Sequence, residues 1–219
     1  MDELKRYRTW IFDCDGVVLD SNRIKTEAFR EVALAYGKAE AKAFVEYHKE
    51  SGGVSRFKKF KYFFESILGE KGCPGHSKDA VARYGALVRE NLIKCSETDG
   101  LRSFLKRIPR DAVKMVISGG AQDELRYVFA MRRLSRYFNA IYGSPAAKED
   151  ILAENLKKNK IVFPAVFIGD TSYDYLCAKK YGIDFIFMSQ YTEMKGWRGY
   201  FRKMNVPAVR NFRDIIKAI

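Results

Sequence analysis

Short apolar runs separated by longer amphipathic stretches set the rhythm of this chain. Residues 8–13, Arg-Thr-Trp-Ile-Phe-Asp, form an apolar run that stops at the polar turn Cys14-Asp15-Gly16, the pattern of a buried strand feeding a loop. Similar runs stand at 113–117 (Val-Lys-Met-Val-Ile), 164–168 (Pro-Ala-Val-Phe-Ile) and 183–187 (Ile-Asp-Phe-Ile-Phe), and they read as short strands of a buried sheet. Between them Leu101, Phe104, Leu105 and Ile108 follow the i, i+3, i+4, i+7 spacing, and Leu125, Val128 and Phe129 repeat it, so helices are predicted there. Strands alternating with helices predict an α/β fold, a Rossmann-like, doubly wound parallel sheet.

From about residue 21 to 98 that rhythm breaks. The stretch is rich in charged and aromatic residues at helical spacing and offers no strand, so it reads as an α-helical insertion into a core formed by 1–20 and 99–219. Gly52-Gly53 divides the insertion, and Gly72-Cys73-Pro74-Gly75 supplies a second break.

Composition narrows the class. A chain of 219 residues fits one large domain or one domain with an insertion. With 47% apolar and 14% aromatic residues it is not a disordered chain. No apolar run approaches the roughly 20 residues of a membrane span. No hydrophobic stretch follows the charges of Met1–Arg6 as in a signal peptide, so a soluble, cytoplasmic protein is expected. Cys14, Cys73, Cys95 and Cys177 are scattered and suggest neither a zinc site nor a disulfide framework. Cys14, between two aspartates, reads as a small buried filler. The two histidines, His48 and His76, lack the spacing of a metal cluster, and histidine-based catalysis is not expected. The net charge of +13 favours anionic substrates or nucleic acid.

In an open parallel sheet the loops at the carboxyl ends of the strands converge on one crevice. Here they carry Asp13-Cys14-Asp15-Gly16, Ser118-Gly119-Gly120, Gly143-Ser144-Pro145 ahead of Lys148, and Gly169-Asp170-Thr171-Ser172-Tyr173-Asp174. Singly, each pair of carboxylates could be a turn or a helix cap. Gathered in one crevice they repel each other, so a divalent cation is expected, and an all-oxygen donor set beside phosphate suits Mg²⁺. A hydroxyl, flexible backbone amides and a lysine would hold a phosphoryl group.

At these residues the sequence resembles the haloacid dehalogenase superfamily of phosphotransferases, in the group of phosphoglycolate phosphatase and β-phosphoglucomutase. Asp13 to Gly16 matches its opening Asp-x-Asp-Gly, Ser118 and Gly119 its second motif, Lys148 its lysine, and Asp170 with Asp174 its closing acidic motif. The resemblance implies that Asp13 attacks phosphorus while Asp15 protonates the leaving oxygen and later activates water. It implies that Ser118, Gly119, Gly16 and Lys148 hold the phosphoryl group. Asp13, Asp170, Asp174 and Asp15, the last through its backbone carbonyl, would bind Mg²⁺. Members with carbon–halogen chemistry lack the second aspartate, so Asp15 favours phosphoryl transfer.

The insertion, 21–98, falls where this family carries a helical cap. Gly53-Val54-Ser55-Arg56 looks like the cap loop of β-phosphoglucomutase and its relatives, which makes Arg56 a candidate substrate contact; the alternative is a helix start capped by Ser55. Lys25 stands where the mutases carry a cap histidine and reads as a solvated residue rather than a ligand. Ser118-Gly119-Gly120 resembles the phosphatase form of its motif. The expectation is a Mg²⁺-dependent phosphatase acting on a small phosphorylated metabolite, with a phosphomutase as the alternative.

A different class of reading rests on the C-terminal region. Lys195, Arg198, Arg202, Lys203, Arg210, Arg213 and Lys217 face one acidic residue, Asp214, and Trp197, Tyr200, Phe201 and Phe212 are interleaved. This could be a surface for nucleic acid, as in an end phosphatase, or a solvated face over core aromatics.

Overall fold

The computed structural model describes residues 6–70 and 74–218. Six strands form one parallel sheet: β1 (Thr9–Phe12), β2 (Val113–Ala121), β3 (Ala140–Ser144), β4 (Ala165–Gly169), β5 (Asp184–Met188) and β6 (Ala208–Val209), in the order β3-β2-β1-β4-β5-β6. This is the expected α/β architecture. The strand β1 pairs on both sides, with Phe12 opposite Val116 and Ile168. All four of its residues are buried, which is why it reads as a continuous apolar run.

The helices are α1 (Asn22–Leu34), α2 (Lys38–Glu50), α3 (Arg56–Tyr62), α4 (Pro74–Lys94), α5 (Leu101–Arg107), α6 (Gln122–Met131), α7 (Lys148–Lys157), α8 (Ser172–Lys180), α9 (Trp197–Lys203) and α10 (Phe212–Ala218), and a π-helical turn, Phe63–Ile67, continues α3. The first four occupy the insertion, divided near Gly52-Gly53. Of the other break, Gly72-Cys73-Pro74-Gly75, the first two residues lie outside the described residues and the last two begin α4.

Side chains alternate across the sheet and divide the core. Trp10 and Phe12 face Phe104, Phe129 and Phe212, while Ile11 faces Met115, Ile117 and Phe167 on the other side. The first cluster runs on without a gap into the insertion, through Phe29, Phe44, Phe60, Phe63 and Tyr84. Core and insertion therefore share one apolar interior on that face.

Two strands were not predicted. The edge strand β3 is only half-buried over Ala140–Tyr142, so it shows no apolar run, and β6 is two residues long. The strand β2 extends past its predicted end to Ala121, with a register shift between Ile117 and Ala121 that bulges Ser118–Gly120 out of the ladder.

In the C-terminal region the seven basic residues are exposed, whereas Phe201 and Phe212 are buried. Trp197 packs on Phe187 at 5.0 Å and Tyr200 on Phe201 at 5.0 Å. Of the aromatics that could have stacked on bases, Phe201 and Phe212 belong to the core, and Trp197 and Tyr200 are half-buried against it. No described helix is long and apolar enough to cross a membrane.

Candidate active site

Strand order reverses at β1, which has β2 on one side and β4 on the other. The crevice of a doubly wound sheet lies at the carboxyl ends of such strands, and the end of β2 and the loops after β1, β4 and β5 meet there, with the insertion, around a cavity of about 80 Å³. Asp13 continues the ladder through its N–H, bonded to the Ile168 carbonyl at 2.9 Å. The chain then folds back tightly, with the Val18 and Leu19 N–H groups both donating to the Cys14 carbonyl. Gly16 sits at φ +76, and a Cβ there would overlap Asp170 Oδ2 and Asn22 Nδ2. Only glycine lets this turn close on the acidic loop after β4.

The structure brings Asp13, Asp170 and Asp174 together, all buried, with a carboxylate oxygen of each within 4.8 Å of the others. Lys148, the first residue of α7, is 1% exposed. Its Nζ lies 2.8 Å from Asp13 Oδ1 and 2.5 Å from Asp174 Oδ1. Asp174 also closes a capping box on α8, its Oδ2 accepting from the Thr171 N–H and hydroxyl. Asn22 donates to Asp170 Oδ2 at 2.7 Å.

Burial pushes Asp13 up to about 7 against the pull of Lys148. Burial, then the charges of Asp13 and Asp174, push Asp170 well above the carboxylate range. Asp13 Oδ1, although close to Lys148, is buried with no hydrogen bond of proper geometry. Crowded hard oxygens with an unsatisfied lone pair are what a divalent cation relieves, so these residues fit Mg²⁺.

The Asp15 carboxylate turns away from that cluster. Ser21 Oγ donates to it at 2.6 Å and Lys25 Nζ at 2.5 Å. Burial works to raise its pKa, but Lys25 and Ser21 overcome it and hold Asp15 below the ordinary range. Of Asp15, only the backbone carbonyl is thus left for the expected metal contact. Lys25 itself corrects the sequence reading: it is 7% exposed rather than solvated. It lies on the inward face of α1, where the stem is buried and the ammonium is compensated by a carboxylate ten residues upstream.

Ser118 is buried, its Oγ accepting from the Gly120 N–H at 3.0 Å. Gly119 lies under the insertion, and a Cβ there would strike the Gly53 carbonyl oxygen. Ser55 does cap α3, accepting from the Lys58 N–H at 3.4 Å. Arg56 lines the cavity, yet its guanidinium grips both oxygens of Glu124 on α6 and lies 4.5 Å from the centre of the Tyr84 ring. The anion Arg56 meets in this arrangement belongs to the protein.

Sequence reasoning missed Asn22, Glu124, Lys59 and His48. The last two also line the cavity, Lys59 Nζ lying 2.7 Å from His48 Nδ1. Asn22 directly follows the first loop, a signal that was available. The others are joined only by helix packing.

The profile of haloacid dehalogenase-like hydrolases matches residues 10–188. The chain belongs to that family. A comparison with curated proteins gives no match. Among solved structures, a candidate phosphoglycolate phosphatase from Lactobacillus plantarum superposes with a TM-score of 0.73 at 18% identity, over 97% of this chain and 99% of that one. A haloacid dehalogenase-like hydrolase from Bacteroides fragilis gives 0.74 at 17%, over 95% and 99%. A candidate β-phosphoglucomutase from Thermotoga maritima gives 0.64 at 19%, over 97% and 99%. At these identities the likeness is one of fold, and family membership rests on the profile.

Proposed function

We propose that this family member is a Mg²⁺-dependent phosphatase that hydrolyses a small phosphate monoester through an aspartyl-phosphate. The observation that carries the reading is the buried Lys148 ammonium between Asp13 and Asp174, with Asp170 beside them. Asp13 attacks phosphorus, the ester P–O bond breaks, and the leaving oxygen takes a proton from Asp15. Asp15 then removes a proton from water, which attacks phosphorus and frees Asp13 as inorganic phosphate leaves.

Lys25 keeps Asp15 ionised in this arrangement, which suits the second step. For the first, an arriving phosphate dianion supplies the field that raises the Asp15 pKa. Lys148 neutralises Asp13 and, with Ser118 and the amides around Gly119, offers donors to the phosphoryl oxygens, whereas the N–H of Gly16, also expected to hold the phosphoryl group, is engaged by the Leu19 carbonyl at 2.8 Å. Asp13, Asp170, Asp174 and the Asp15 carbonyl would hold Mg²⁺, whose charge offsets that of the phosphoryl group. Residues 21–98 act as the cap over the core of 1–20 and 99–219, and the Gly53 carbonyl over Gly119 is the contact between them nearest the crevice. The substrate is sugar-phosphate-like or phosphoglycolate-like in size. The Lys25–Asp15 pair supports hydrolysis over the mutase alternative, since the position of the mutase histidine is taken by a committed ammonium.

Turnover of p-nitrophenyl phosphate should require Mg²⁺ and stop with excess EDTA, and inorganic phosphate should be the product. Asp13→Asn should retain the fold and lose all but a thousandth or so of kcat, a barrier increase of about 4 kcal/mol. A variant keeping more than about a tenth, under roughly 1.4 kcal/mol, would remove Asp13 as nucleophile.

A further inference from the structure

The cations around the cavity are not equally provided for. Lys148 is paired with Asp13 and Asp174, Lys25 with Asp15, and Arg56 with Glu124. Lys59, on α3, is 2% exposed and lines the same cavity. Among the described residues no carboxylate forms an ion pair with it. Its Nζ meets only His48, through Nδ1 at 2.7 Å and the backbone carbonyl at 3.2 Å, and stands 5.5 Å from the Phe29 ring centre. The carboxylates at the rim are engaged or distant. Glu193 accepts from Thr26 Oγ1 at 2.5 Å and faces Lys49 at 3.8 Å, and Glu50 is exposed.

Hydrogen bonding fixes how Lys59 is held. The single proton of the Thr26 hydroxyl goes to Glu193, so at 3.1 Å from His48 Nε2 the same oxygen can only accept. The imidazole is then protonated at Nε2, and Nδ1 accepts from Lys59. Burial, followed by the charge of Lys59, keeps this imidazole well below its usual pKa and therefore neutral. An ammonium has three N–H groups, and two are used. The third has no partner among the described residues, at the edge of a cavity that also contains Asp13.

Burying an ammonium without a counter-ion is costly. Burial, with Lys25 next, pushes Lys59 down to about 7, so an anion is the partner this position lacks. We propose that Lys59, oriented by His48, receives a second anionic group of the substrate, so that the enzyme selects short phosphate monoesters bearing a carboxylate or a second phosphate. This rests on the phosphatase reading above. It differs from the expectation for Arg56, whose two terminal nitrogens already donate to Glu124.

Three esters of one skeleton test it with Mg²⁺ present: ethyl phosphate, carboxymethyl phosphate and ethylene bisphosphate. Wild type should favour at least one of the two esters with a second anionic group over ethyl phosphate by about tenfold or more in kcat/KM, mainly through KM. Which one it favours tells carboxylate from phosphate. Lys59→Met should collapse that ratio by about tenfold or more, and Lys59→Arg should recover part of it. If Lys59→Met does not fold, wild type alone decides: phosphonoacetate should inhibit at least about tenfold more tightly than methylphosphonate. Equal use of the three esters, equal inhibition by the two phosphonates, or an unchanged ratio in a folded Lys59→Met would overturn the inference and leave the phosphatase reading standing. Failure to hydrolyse p-nitrophenyl phosphate would remove that reading itself, and this one with it.

Discussion

Two aspartates separated by one residue are set apart by their neighbours alone. Asp13 is buried against Lys148 within the acidic cluster, and Asp15 is held by Lys25 and Ser21. Replacing Asp15 by Asn should therefore divide the two chemical steps. Attack by Asp13 on an ester with a good leaving group needs little proton donation and should proceed, whereas release of the phosphoryl group lacks its base. Intact-mass measurement should find a phosphorylated enzyme. Equal slowing of good and poor leaving groups, with nothing trapped, would give Asp15 another role. The placement of Asp13, Asp15, Asp170 and Asp174 at one end of the sheet was legible because each lies within a few residues of a strand end, where local sequence fixes position. Lys25 was misread because charge at a helical surface looks solvated until its partner is known. Nothing in the linear order joins His48 to Lys59, since α2 and α3 must first pack together.

At the scale of elements, strands buried on both sides could be seen from composition, and β1 and β4 stand within a residue of their apolar runs. The edge strands β3 and β6 could not, because half-buried backbone does not select a run of large apolar residues. What links α3 to α6 was equally hidden: Arg56 and Glu124 lie 68 residues apart and are both largely buried. Removing one member of such a pair strands a buried charge, so Glu124→Leu should cost about 3–5 kcal/mol in denaturant titration. The double variant Arg56→Met/Glu124→Leu should regain most of that loss, since two apolar side chains pack without an unpaired ion. If the double variant is as unstable as the sum of the single ones, the pair is not what joins the insertion to α6.

Charge at the scale of the whole molecule has two opposed parts: an excess of basic residues that gives the chain a net +13, and an interior holding crowded carboxylates. The interior part makes stability depend on pH in a direction opposite to that of ordinary surface carboxylates. With no metal bound, Asp13 is raised to about 7 and Asp170 is also raised, so the folded protein keeps protons that the unfolded chain releases near pH 4. The unfolded state then binds fewer protons, and the stability contributed by these groups, fully present below about pH 4, falls as pH rises through about 7. A divalent cation in the proposed site would take the place of those protons, so its binding should strengthen as the protons become easier to displace. Melting temperatures measured in EDTA and in millimolar Mg²⁺, at constant ionic strength so that the basic surface is screened alike, should differ more at about pH 8 than at about pH 5.5. Asp170→Asn should abolish most of the Mg²⁺ gain at the higher pH while making the EDTA curve less dependent on pH, because it removes both a proposed ligand and one of the groups that must lose a proton. A Mg²⁺ gain that is the same at both pH values, or one that survives Asp170→Asn, would place the cation elsewhere on the molecule.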